Sequence, residues 1–121
     1  MSAVAINLKI PDNAAYTALV TLRRLGLDLA RVERAQIVRN TTAAGVEADE
    51  SLYNPNKHHV TTLESDGPRA GEVWIVQERE DRPVAWRLFR APGVPVSPEV
   101  LQAAAERLLC NPAIERAIFP V

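Results

Sequence analysis

The chain is poor in cysteine and glycine and contains no long apolar run. Its 121 residues include one cysteine, so an internal disulfide is excluded and a reducing compartment is expected. The five glycines are scattered, and none lies in a loop of the kind that cradles phosphate groups. No apolar stretch approaches the roughly 20 residues that cross a bilayer, and the opening residues do not resemble a signal peptide. These absences predict a cytoplasmic protein.

An excess of either charge is also absent. Lysine and arginine number 14 and aspartate and glutamate 15, for a formal net charge of −1. This balance removes the electrostatic basis for binding nucleic acid or an anionic membrane, and neither is expected as a partner. With 47% hydrophobic and 24% charged residues, the chain has the composition of one globular domain spanning residues 1–121.

The first third of the chain shows a strand, a helix and a second strand. Residues 3–10 alternate between apolar and polar positions, which is the period of a strand with one face on a core. Asp12 is placed to cap a helix over 13–25, and its apolar residues recur at three- and four-residue spacing. A second strand is predicted over 31–40.

The middle of the chain, residues 41–96, reads as an insertion. Residues 41–70 have weak periodicity and many turn formers, which predicts a long mobile loop. A loop of this length is unusual in a compact domain. The segment is therefore either a functional loop or contains a helix or strand that the residue pattern does not reveal. The runs 72–79 and 84–90 are rich in β-branched and aromatic residues and predict a hairpin, so we place a hairpin at 72–90.

The last helix and strand are joined by a sharp corner. Ser97, followed by proline and glutamate, starts a helix that ends near Cys110. Its predicted buried stripe consists of Leu101, Ala104, Ala105 and Leu108. Pro112 prevents the helix from continuing, and Asn111 is expected to adopt the left-handed conformation that closes it. A final strand then follows.

These elements predict an α+β fold, with two helices packed on one face of a mostly antiparallel sheet, in the order β-α-β-(insertion)-β-β-α-β. Two helices cover only one face, yet Val73 and Ile75 point to one side and Trp74 and Val76 to the other. The simplest cover for the second face is another copy of the chain, and the alternative is the 41–70 loop itself. The residues expected at the interface between copies are Trp74, Val76, Trp86 and Phe119.

Few residues have the spacing of a catalytic or metal site. His58 and His59 are adjacent, so on a strand they point in opposite directions, and solvated histidines are the simpler interpretation. Cys110 lies at a helix C-terminus, where the dipole opposes thiolate formation, and we expect a packed thiol. The sequence therefore predicts no catalytic, cofactor-binding or metal-binding residue.

The two ends of the chain together resemble the PurS subunit of phosphoribosylformylglycinamidine synthase. Residues 3–39, "AVAINLKIPDNAAYTALVTLRRLGLDLARVERAQIVR", look like that family's first strand, helix and second strand. The ending "ERLLCNPAIERAIFPV" is similar to the family's C-terminal helix, Asn-Pro break and strand. The matching residues are Leu108, Leu109, Asn111, Pro112, Ile114 and Glu115. The chain departs from the family at 41–96, because family members pass from the second strand to the second helix with little between.

The resemblance implies a PurS-like, ferredoxin-like domain that dimerises through its sheet and has no cofactor. It also implies a non-catalytic role in purine biosynthesis, in which the subunit joins a glutaminase subunit to an ATP-dependent synthetase subunit. Two alternatives stay open. One is a small-molecule-binding or interaction module outside the purine pathway, with the long loop closing over a ligand. The other is a small dimeric enzyme that uses His58, His59 or the hairpin arginines.

Overall fold

A computed structural model of the chain describes residues 3–77 and 82–120, and within these ranges one sheet carries the fold. The strands are β1 (Ala3–Leu8), β2 (Arg31–Arg39), β3 (His58–Thr62), β4 (Glu72–Gln77), β5 (Val84–Ala91), β6 (Val94–Pro95) and β7 (Glu115–Ile118). The helices are α1 (Asn13–Arg24), α2 (Ala43–Glu47) and α3 (Pro98–Ala104), and α3 continues into a π-helical turn at Ala105–Leu109.

The sheet is antiparallel at every pairing between these strands. Its order is β3-β1-β2-β5-β4-β7, with β6 paired to β5, so the predicted α+β class with a mostly antiparallel sheet is confirmed. Although α1 connects them, β1 and β2 are neighbours, with Ala5 opposite Ile37. They therefore do not form the parallel crossover of a βαβ unit, on which a ferredoxin-like arrangement is built.

The predicted first helix is confirmed, together with its capping residue. Asp12 Oδ1 accepts hydrogen bonds from the backbone N–H groups of Ala14 and Ala15, which otherwise have no partner in the first turn. At the other end Gly26 has a φ of +94°, a conformation that glycine adopts without a steric penalty. The strand before the helix ends at Leu8 rather than residue 10.

The prediction of a loop over 41–70 is wrong, because α2 and β3 lie within it. Thr42 caps α2 by accepting a hydrogen bond from the Gly45 backbone, and β3 pairs with β1 at the edge of the sheet. Val46 of α2 is buried against β1, where it covers Val4 and Ile6. The pattern of residues did not reveal these elements because α2 is only five residues long and β3 is an exposed edge strand with polar side chains.

The predicted hairpin is confirmed as β4 and β5. Of its predicted first strand, residues 78 and 79 lie outside the described residues, as do residues 80 and 81 of the predicted turn. The link after β5 contains a further short strand, β6, which folds back on β5 through the turn at Pro92 and Gly93.

The two faces of the sheet have separate apolar cores. We call the face under α1 and α3 the front face, and there Val73, Ile75 and Leu88 pack against Leu22 and Leu101. The opposite, or back, face carries a second cluster of buried residues. Its members are Ala3, Ala5, Ala35, Ile37, Leu63, Trp74 and Ala85.

The back face is covered by the chain itself. The segment 63–70 connects the end of β3 to the start of β4 and contributes Leu63 to the back-face cluster. Trp74, the largest residue of the cluster, is 0% exposed. The back-face cluster is thus buried without a second copy of the chain, and the alternative, a cover provided by the middle of the chain, is what the structure shows. A residue buried within its own chain leaves no area for a partner.

Charged side chains attach the 63–70 segment to the sheet. The Arg69 guanidinium lies 2.7 Å from Glu72 Oε2, and the Arg69 backbone N–H donates to Glu72 Oε1. On β2, which β5 separates from β4, the Arg39 guanidinium lies 5.1 Å from the Trp74 ring centroid and forms an ion pair with Asp66 at 3.2 Å. These contacts hold the segment near its middle, at Asp66, and near its end, at Arg69.

The corner after α3 is closed in a different way from the prediction. Asn111 is not left-handed, since Asn40 is the non-glycine residue with positive φ among those described. Instead, the Asn111 carbonyl accepts from the Ile114 and Glu115 N–H groups, and the Asn111 N–H donates to Glu115 Oε1 at 2.9 Å. The Asn111 side chain accepts from Ala113 N–H. Three of the matched motif residues, Asn111, Ile114 and Glu115, are therefore bonded to one another.

Candidate protein-docking site

The four predicted interface residues do not form one surface. Val73 lies opposite Trp86 in the β4–β5 pairing, so both side chains face the front. Trp74 follows Val73 in β4 and therefore faces the back. Trp74 is completely buried, Val76 is 9% exposed, and Phe119, beyond β7, is 37% exposed. Trp86 is partly buried against the front-face core and also lines an open groove. Of the four, Trp86 identifies the candidate site.

The groove lies between α1 and the π-helical turn, with the indole of Trp86 between the two walls. Its volume is about 460 Å³. The lining residues are Asn13, Ala14, Thr17, Ala18, Thr21, Trp86, Leu108 and Leu109. None of them carries a charge, so the groove suits an apolar occupant. We call it the α1 groove.

The α1 wall of the groove is shallow because its side chains are small. Ala14, Thr17 and Thr21 recur at spacings of three and four residues, so they lie along one side of the helix. Small side chains allow another element to approach the helix closely. A hydrophobicity pattern alone does not distinguish such a wall from an ordinary solvent-exposed helical face.

The opposite wall exists because the last helix changes its period. The Cys110 N–H bonds to the Ala105 carbonyl, five residues back, so one extra residue enters the final turn. The buried stripe consequently moves from position 108 to Leu109, which is 8% exposed. Leu108, predicted to be buried, is 41% exposed and points into the α1 groove. This expectation was wrong because it assumed a regular α-helix.

Polar contacts fix both sides of the groove. Arg107 Nη1 donates to the Leu25 carbonyl at 2.9 Å, which ties the π-helical turn to the end of α1. On the sheet, the Arg34 guanidinium lies 5.9 Å from the Trp86 ring centroid and donates through Nε to the capping Asp12. The indole is therefore held between the helix layer and a cation.

The histidines and the cysteine lie away from the α1 groove. His58 Nδ1 accepts from the Asn54 backbone, and His59 pairs with Asn7 across β3 and β1. Burial raises the pKa of the Cys110 thiol, and the nearby Glu115 carboxylate raises the pKa further. Among the described residues, no group of three or more histidine, cysteine or acidic side chains is arranged to hold a metal ion.

Comparisons with known proteins leave the family open. No family model matches the chain, and searches of curated proteins and of solved structures find no match. No helix within residues 3–77 and 82–120 is long and apolar enough to cross a bilayer.

Proposed function

We propose that this chain is a non-catalytic assembly subunit that binds a partner protein in the α1 groove. The observation that carries the proposal is an uncharged groove that exposes Leu108 and part of Trp86 to solvent. Removing apolar surface from water stabilises a complex by roughly 25 cal/mol per Å². Tryptophan in a partly enclosed pocket is a common centre of binding energy.

The proposed occupant of the α1 groove is an amphipathic helix of the partner. The groove runs along α1 beside the π-helical turn, and helices bind such grooves through apolar residues on one face. The small residues Ala14, Thr17 and Thr21 favour close helix packing. Because the lining carries no charge, the face that enters it should be aliphatic rather than ionic.

We take the partner proteins from the resemblance between the two ends of the chain and the PurS subunit. They are the glutaminase and synthetase subunits of phosphoribosylformylglycinamidine synthase, which a PurS-like chain would join in the cytoplasm for purine biosynthesis. The resemblance also supports a homo-oligomer, and we place its contact outside the back face, which the 63–70 segment covers.

Binding to the two purified enzyme subunits tests the proposal directly. We expect the wild-type chain to bind at least one of them in a calorimetric titration, and Leu108→Glu to weaken binding at least tenfold, or about 1.4 kcal/mol. Leu25→Glu is the matched control, since Leu25 is equally exposed, at 42%, but does not line the groove. Binding of neither subunit would rule out the purine-pathway role.

The Leu108→Glu result also distinguishes the proposed docking site from the proposed role in purine biosynthesis. If Leu108→Glu binds as tightly as the wild type, the partner docks elsewhere and the α1 groove is not the site. A light-scattering mass of the isolated chain reports its oligomeric state, and a strictly monomeric mass at working concentration would contradict the homo-oligomer.

A further inference from the structure

The sheet has a gap beside the first half of β2. β1 pairs with β2 through residues 35–39, whereas β5 pairs with residues 31–36. Residues 31–34 of β2 therefore have a strand partner on one side only. Pro11 and Asp12 carry the chain away from β2 and into α1, and a cleft of about 580 Å³ lies along the gap. We call it the β2 cleft.

Residues 31–34 of β2 line this cleft with an edge to which no described strand pairs. The Asn7 side chain donates from Nδ2 to the Arg34 carbonyl at 2.9 Å, next to the last backbone pair between β1 and β2. A side-chain amide thus occupies the place where the next strand residue would donate. Unpaired strand edges of this kind accept an added strand.

The β2 cleft is positively charged, although the chain as a whole is not. Four of its lining residues are cationic and two are acidic. The cations are Lys9, Arg31, Arg34 and Arg69, and the acids are Asp12 and Glu33. Counting Glu72, which pairs with Arg69, a positive excess remains, against a net charge of −1 for the chain. The charge of the cleft therefore favours an acidic occupant.

The arginines of the cleft retain donor groups. Within the described residues, Arg34 donates through Nε to Asp12, and Arg31 donates through Nε to Glu33. The terminal amino groups of both guanidinium ions are thus available for carboxylates, which arginine binds with paired N–H groups. Two exposed apolar side chains, Ile10 at 52% and Tyr16 at 68%, also line the cleft.

We propose that the β2 cleft binds an extended acidic peptide segment of another protein, which adds as a strand to residues 31–34. Four paired residues span about 13 Å at roughly 3.3 Å each. Alternate side chains of an added strand point to opposite faces of the sheet, so carboxylates meet the arginines on one or both faces while the backbone pairs with β2. The β2 cleft adjoins the α1 groove, with which it shares Asn13, but its other lining residues are different and the proposal does not depend on the purine pathway.

Direct binding of a synthetic peptide tests the proposal with the full chain alone. The probe is a fluorescein-labelled hexapeptide pool with glutamate at alternate positions and mixed apolar residues between, measured by fluorescence anisotropy. We expect saturable binding that weakens with added salt. Arg31→Glu should weaken it at least tenfold, and Arg31 is safe to change because its side chain is 68% exposed. Arg24→Glu, an exposed cation outside the cleft, should bind as the wild type does.

Backbone methylation distinguishes strand addition from simple anion binding. Two versions of the best-binding peptide are N-methylated at the odd or the even amides, because only one set faces β2 in an added strand. One version should lose binding at least tenfold and the other should retain it. Equal binding by both, displacement by millimolar phosphate or free glutamate, or no binding of the pool at 1 mM would each overturn the proposal.

Discussion

The indole N–H of Trp74 donates to Glu72 Oε1 over 3.2 Å, and both residues are completely buried in the sheet. Glu72 also accepts from the backbone and the guanidinium of Arg69, so its carboxylate is fully engaged. Buried charges are costly unless they are paired and hydrogen-bonded. This pairing allows the 63–70 segment to cover the back face with a charged residue beneath it.

Replacing Glu72 by glutamine should reduce stability in a pH-dependent way. Burial raises the pKa of Glu72, but the hydrogen bonds and charge of Arg69, with the Trp74 N–H, outweigh it and hold the pKa below its ordinary value of 4.5. A lowered folded-state pKa stabilises the protein above the unfolded pKa, and this contribution is lost as pH falls through the folded value. We expect Glu72→Gln to lower the free energy of unfolding by about 1.5–3 kcal/mol at pH 7.

Urea unfolding at pH 7 and at steps below pH 4.5 measures this effect. The difference between wild type and Glu72→Gln should narrow as the wild-type carboxylate becomes protonated. Glu64→Gln, an exposed change in the covering segment, is the control and should leave stability unchanged. A constant difference across the acid range would show that Glu72 contributes through packing instead.

Shortening Leu63 should loosen the cover over Trp74. Leu63 is 6% exposed, and Leu63→Ala should cost about 2–5 kcal/mol through lost burial and the cavity left behind. Acrylamide quenching of Trp74 fluorescence, in a Trp86→Phe background, should be weak in the parent and stronger in the variant. Leu52→Ala, which alters the apolar cluster around α2, is the control. Strong quenching in the parent would contradict a covered back face.

Two glycines with nearly the same backbone conformation should respond differently to alanine. Gly71 has a φ of +71° and Gly93 a φ of +72°, so both substitutions carry the strain of a left-handed residue, about 1–2 kcal/mol. At Gly71 an added Cβ would lie 2.7 Å from Pro95 Cβ and 2.8 Å from the Leu88 carbonyl oxygen, whereas at Gly93 it meets nothing within 4 Å. Gly71→Ala should therefore lower the melting temperature more than Gly93→Ala, as thermal unfolding would show. Equal losses would mean that β6 moves freely away from this contact.

The single thiol should react slowly near neutral pH. Burial, and secondarily the Glu115 charge, raises the pKa of Cys110, which reduces the thiolate fraction available to an alkylating agent. Glu115→Gln removes one of the two causes and should shift the pH profile of alkylation toward lower pH. Because the chain has one cysteine, the rate reports this site alone. Glu106→Gln serves as the control, and a profile identical to wild type in Glu115→Gln would exclude an effect of the carboxylate.

Secondary structure was predicted correctly from the sequence where the apolar residues of an element recur with a clear helical or strand period. The helix at α1 and the hairpin of β4 and β5 were found because alternation or helical spacing extends over several residues. The edge strand β3 was missed because its exposed polar side chains give no alternation. Of the candidate site, only Trp86 was anticipated. Leu108 was assigned to the core because nothing in its spacing signals the change of helical period after Ala104.

The residues by themselves determined the class of the fold, the cap at Asp12 and the stop at Gly26, because each depends on neighbours within a few positions. Only the tertiary structure decided which tryptophan is fully buried and which stays partly exposed. Trp74 and Trp86 lie on paired strands with similar sequences. The distant 63–70 segment covers Trp74, whereas Trp86 lies in the groove beside the π-helical turn. Burial is a property of what packs against a residue, and that information is spread along the whole chain.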